Sequence, residues 1–99
     1  MLEADIEKKA CHAAKAAGWL AYKFSSPGKR SVPDRLFCKN GMAVFIEFKR
    51  PGGYLTPKQQ FEIDKLQKAG FTATCCWSVN EAMSVLQAAE NREGPPDVG

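Results

Sequence analysis

The chain has 99 residues, 44% of them hydrophobic and 25% charged, and a net charge of +3. That length suits one domain around a single core with no second domain beside it, and the composition is that of a folded protein, not a disordered or fibrous one. The longest apolar run, Met42 to Ile46, is far short of a membrane span, and acids occupy the N-terminus where a signal peptide needs bases, so a cytoplasmic chain with no membrane partner is expected.

Leu2, Ile6, Ala10, Ala13 and Ala17 recur at helical spacing and Gly18 follows as a stop, which predicts a helix over 3–17. Residues 19–24 read as a strand, and Ser25-Ser26-Pro27-Gly28-Lys29-Arg30-Ser31 as a basic loop. Asn40-Gly41 is a two-residue hairpin signal joining the strands 34–39 and 42–49. Thr56-Pro57-Lys58-Gln59 combines an N-cap, a proline at the first helical position and a capping-box glutamine, opening a helix that Gly70 closes. Residues 71–77 alternate as a strand, and Ser78-Val79-Asn80-Glu81 starts a last helix carrying Ala82, Met83, Leu86 and Ala89. The order is αβββαβα over residues 1–90, with a disordered tail expected over 91–99, where two prolines stand and nothing can be buried.

Cys11, Cys38, Cys75 and Cys76 fall within periodic apolar segments, form no C-x-x-C pair and have His12 as the only histidine, so they read as core residues and not as zinc ligands. Lys23, Lys29, Arg30 and Arg35 crowd one stretch, with Lys49, Arg50 and Lys58 beyond it, which fits a polyanionic partner.

With Asn40 and Gly41 as the turn, Lys39 pairs with Met42, and the same register sets Asp34 opposite Glu47. Lys49, two residues on, shares the face of Glu47, while Val44, Ile46 and Phe48 point to the core. Read singly, Glu47 and Lys49 make a surface ion pair and Asp34 a turn residue. Together they place like charges across a hairpin, which costs stability that a divalent cation would recover. Carboxylates without histidine or thiolate suit a hard ion such as magnesium or manganese, which can activate water against a phosphodiester.

Val32-Pro33-Asp34-Arg35-Leu36, Phe45-Ile46-Glu47-Phe48-Lys49 and Gly53-Tyr54-Leu55-Thr56-Pro57-Lys58-Gln59 together resemble the VRR-NUC domain, a branch of the PD-(D/E)XK nucleases. The resemblance spans Glu3 to about Ala89 and implies a restriction-endonuclease-like α/β fold: an αβββαβ core with a mixed central sheet flanked by helices, plus the C-terminal helix. It further implies a metal held by Asp34, Glu47, the Phe48 backbone carbonyl and an acid of the first helix, directly or through water. That acid is Glu3, with Glu7 one turn on as the alternative, and Lys49 and Gln59 complete the catalytic set. Lys23, Ser26, Lys29, Arg30 and Lys58 are the candidate phosphate contacts.

Standalone members of this family in phages and bacteria are of about this length, and some act as homodimers on branched DNA such as four-way junctions. The resemblance therefore implies a Mg2+- or Mn2+-dependent endonuclease of the Holliday-junction-resolvase kind, serving DNA repair, recombination or replication in a bacterial or phage-infected cell. The alternative is a nucleic-acid-binding module with weak or lost catalysis, which needs only the bases. Replacing Asp34 separates the two readings.

Overall fold

The computed structural model describes residues 1–29 and 31–92. Its elements run α1 (Glu3–Ala16), β1 (Leu20–Lys23), β2 (Arg35–Lys39), β3 (Met42–Phe48), α2 (Pro57–Lys68), β4 (Thr72–Cys76) and α3 (Val79–Arg92). The expected αβββαβα order and the mixed sheet are both present. The strands lie in the order β1-β2-β3-β4, antiparallel up to β3 and parallel between β3 and β4. The crossover that makes the last pair parallel is α2, as a parallel connection requires.

Local chemistry sets these boundaries. The hairpin turns on Asn40 and Gly41 with φ of 50° and 80°, the paired left-handed geometry of a type I′ turn. It gives the expected register, Lys39 with Met42 through to Arg35 with Ile46. Thr56 caps α2 through a complete capping box, its Oγ1 accepting from the Gln59 N–H while Gln59 Oε1 accepts from the Thr56 N–H. At α3, Glu81 N–H donates to Ser78 Oγ, but the Glu81 carboxylate reaches back to the Trp77 N–H, one residue beyond the usual partner.

Two apolar layers sandwich the sheet. Ile6, Ala10 and Ala14 of α1 and Ala82, Leu86 and Ala89 of α3 pack on Phe37, Val44, Ile46 and Phe48. On the opposite face, Ile63 of α2 packs on Phe45 and Ala73, with Phe24, Leu36, Leu55 and Leu66 around them.

Some boundaries differ from expectation. The buried stripe of α1 is Ile6, Ala10, Cys11 and Ala14, while Leu2 and Ala17 stay exposed. Helix α3 carries on through Asn91 and Arg92, where a disordered tail was expected to begin, and the Arg92 guanidinium bonds Thr72 Oγ1 at 3.1 Å. The remainder of the expected tail, 93–99, lies outside the described residues. Cys11, Cys75 and Cys76 are buried and Cys38 half-buried, all as free thiols. Burial pushes the Cys75 and Cys76 thiols up to about 12, so both behave as packing groups and not as thiolates. Among the described residues no helix is long and apolar enough to cross a membrane.

Candidate metal and phosphodiester site

Three carboxylates from three elements meet at one end of the sheet. Oxygens of Glu3, Asp34 and Glu47 all lie within 4.8 Å of one another. Each is placed by backbone chemistry. Glu3 opens α1, where a carboxylate is favoured by the unpaired N–H groups of the first turn. Asp34 follows the buried Pro33, whose ring restricts the chain on both sides. Its carbonyl accepts from Phe24 N–H at 2.9 Å, and its Oδ2 accepts from Phe48 N–H at 2.9 Å. Asp34 thus stands one residue before the β2 ladder and is tied directly to β3. Glu47 pairs in register with Cys75 of β4, and Lys49 extends that ladder by donating its N–H to the Cys76 carbonyl at 3.0 Å.

Glu47 departs from the surface ion pair that strand periodicity allows. It is only 3% exposed, because α2 covers the face of the sheet that alternation alone leaves open. Gln59 Nε2 donates to Glu47 Oε2 at 3.3 Å, and Lys49 Nζ stands 3.8 Å from the same oxygen. Gln59 therefore caps α2 with its carbonyl oxygen and touches the acid cluster with its amide at the same time. Burial first, and then the neighbouring Asp34 carboxylate, push the Glu47 carboxyl up to about 8, with Lys49 pulling the other way. A carboxyl raised to about 8 favours its protonated form near neutral pH.

A tight turn brings α2 back over the site. Gly53 N–H bonds the Arg50 carbonyl at 2.8 Å across Pro51 and Gly52, the latter at φ 83°. A Cβ at Gly53 would lie 3.1 Å from that carbonyl and 3.5 Å from the Lys49 Cβ, so a side chain there crowds the site. Trp77 Nε1 donates to the Gly53 carbonyl at 2.8 Å and fixes the turn from β4. Trp77 was missed as a positioning residue, although a large indole at the end of a strand needs a partner for its N–H.

Glu7 is not in the cluster. Its carboxylate pairs with Arg35 at 2.7 Å and Lys23 at 3.7 Å, which leaves Glu3 as the acid of α1 that reaches Asp34 and Glu47. The candidate phosphate contacts are dispersed. Lys23 is spoken for by Glu7, and Lys29 by the buried Glu62 of α2 at 3.4 Å. Ser26 accepts from Lys29 N–H within the β1–β2 loop, Lys58 is exposed in the first turn of α2, and Arg30 lies outside the described residues.

The model of the VRR-NUC domain family matches residues 7–80 of this chain. The chain belongs to the VRR-NUC domain family of nucleases. It is 45% identical over 69 residues to "Putative nuclease p44" of Acyrthosiphon pisum secondary endosymbiont phage 1, covering 69% of this chain and 74% of that protein. A solved structure described as a VRR_NUC domain superposes with a TM-score of 0.77 at 25% identity, over 86% of this chain and 94% of its own. A second, described as a VRR_NUC domain protein, reaches 0.78 over 92% and 89% at 20% identity, a likeness of fold.

Proposed function

We propose that this VRR-NUC domain is a divalent-metal-dependent DNA endonuclease selective for branched structures, of the Holliday-junction-resolvase kind, with a place in DNA repair, recombination or replication. The observation that carries the chemistry is the convergence of Glu3, Asp34 and Glu47 beside Lys49. Three carboxylates with no histidine or thiolate among them match a hard cation, Mg2+ or Mn2+. Asp34, Glu47 and Glu3 would hold it, with the Phe48 carbonyl as a further ligand. When bound, the ion supplies charge to offset that developing on the phosphodiester and lowers the pKa of an attacking water.

The protein's own groups account for the remainder. Lys49, half-buried against Glu47, orients the nucleophilic water and donates to the phosphate oxygens as negative charge builds there. Gln59 keeps the Glu47 carboxylate aimed into the cluster, and the Phe48 N–H does the same for Asp34. With no helix pair built to read base sequence among the described residues, recognition rests on backbone shape and charge. A two-fold dimer would set two such sites in fixed relation, suited to paired cuts on a symmetric junction.

The test is cleavage of labelled four-way junction, flap and linear duplex with Mg2+, Mn2+ or chelator, comparing the wild type with Asp34→Asn and Lys49→Ala. Metal-dependent cutting of the junction in preference to the duplex, lost in both variants, is the expected result. Junction binding without cutting in either metal overturns the catalytic reading and leaves the binding module in its place.

A further inference from the structure

A groove of about 830 Å³ runs along α1 beside Lys23 and Arg35. It begins next to the acid cluster, since Asp34 precedes Arg35 in the chain and Glu3 lies one helical turn before Glu7. Its charged lining is Lys8, Lys9, Lys15, Lys23 and Arg35 against Asp5 and Glu7, so this one surface carries as much net positive charge as the entire chain.

The bases divide into two groups. Lys23, Lys29, Arg35, Lys39, Lys49 and Lys65 each face a carboxylate. Lys8, Lys9 and Lys15 are exposed and form no ion pair among the described residues; Arg50, Lys58, Lys68 and Arg92 are likewise exposed and unpaired, but only the first three share this groove. Lys8, His12 and Lys15 follow one another at helical spacings of four and three, so they form a single stripe along the groove. The paired bases hold the fold together, whereas the unpaired stripe offers its charge to something outside.

Resting on the nuclease reading, we infer that this groove is a second DNA contact, holding the phosphates of one duplex arm as it leaves the acid cluster. Lys8 and Lys15 are its principal contacts, with Lys9 at its rim and the Arg35–Glu7–Lys23 network as its floor. At roughly 1.5 Å per residue, Lys15 lies about 18 Å along α1 from Glu3. Duplex DNA advances about 3.4 Å per phosphate on each strand, so Lys15 stands roughly five base pairs along the arm from Glu3 and the stripe itself, about 10 Å from Lys8 to Lys15, spans roughly three. The contact is with backbone only, and it fixes which way an arm leaves the scissile bond without reading its bases.

The experiment is binding of a labelled four-way junction and a labelled duplex, with Ca2+ replacing Mg2+, across a salt series, for the wild type and the paired variant Lys8→Gln/Lys15→Gln. Both positions are exposed and glutamine is a comparable helix former, so folding is preserved. Lys68→Gln, at the far end of α2, is the control. The paired variant should lower the slope of log affinity against log salt by about two, so that between about 50 and 200 mM salt it loses roughly tenfold less affinity than the wild type. A wild type that cuts DNA while the paired variant keeps the full slope overturns the groove alone. A wild type that neither binds nor cuts DNA overturns the nuclease reading, and the groove falls with it.

Discussion

Replacing Glu47 with Gln should stabilise the metal-free protein at alkaline pH and leave it little changed in acid. The ordinary carboxyl value of 4.5 is raised to about 8 at this position, chiefly by burial and then by Asp34. A carboxyl whose value is higher in the folded state binds more protons folded than unfolded between those limits, so its contribution to stability is fully present below 4.5 and is lost as pH rises through about 8. At about 1.4 kcal/mol per unit, the ceiling on that loss is about 5 kcal/mol. Solvent screening at the mouth of the cluster and the Gln59 amide reduce it, the pull of Lys49 being already contained in the value of about 8, so about 2 kcal/mol is expected. The Gln side chain keeps the shape and carries no charge, so it escapes this loss. Urea denaturation with chelator at pH 5.5 and pH 9 reads the effect as a stability difference that opens with pH in favour of the variant. A difference that stays constant between the two pH values would refute the assignment of a buried, electrostatically loaded carboxylate.

Three further outcomes follow from the same geometry. Binding of Mg2+ or Mn2+ must displace the proton held at Glu47, so the metal-induced rise in Tm should grow between pH 6 and pH 9, and scanning fluorimetry would show it. Thr56→Ala removes only the cap of α2 and should cost about 1 kcal/mol with cleavage retained, whereas Gln59→Ala also releases Glu47 and should reduce single-turnover cleavage by tenfold or more, on the order of a lost positioning contact. Glu7→Gln weakens the partner of Arg35 and should lower stability by about 1–3 kcal/mol without abolishing the response to metal, while Glu3→Gln should blunt that response at nearly unchanged stability.

Much of the site was legible because its determinants are local. Asn40-Gly41 dictates both the turn and the register, which ends at Arg35 with Ile46; Asp34 stands just beyond the ladder, where its carboxylate comes within 4.8 Å of the Glu47 carboxylate. Thr56-Pro57-Lys58-Gln59 announces the start of α2 equally directly. What stayed hidden depends on contacts distant in sequence. Arg35 selects Glu7 across 28 residues, and that choice leaves Glu3 to the cluster, whereas helical spacing alone leaves the two acids equivalent. Lys29 reads as a free base until Glu62 is found against it, 33 residues away. Glu47 reads as solvent-facing from strand alternation, and becomes buried only because α2 returns over that face. The end of α3 was set too early, since the Arg92–Thr72 contact made from the last turn cannot be read from helical periodicity.

The central claim is tested most directly by single-turnover cleavage of a labelled four-way junction in Mn2+ by the wild type, Asp34→Asn and Glu7→Gln. Cutting is expected from the wild type and from Glu7→Gln, and none from Asp34→Asn even though it still binds the junction. Cutting by Asp34→Asn at the wild-type rate would contradict a site built on Glu3, Asp34 and Glu47.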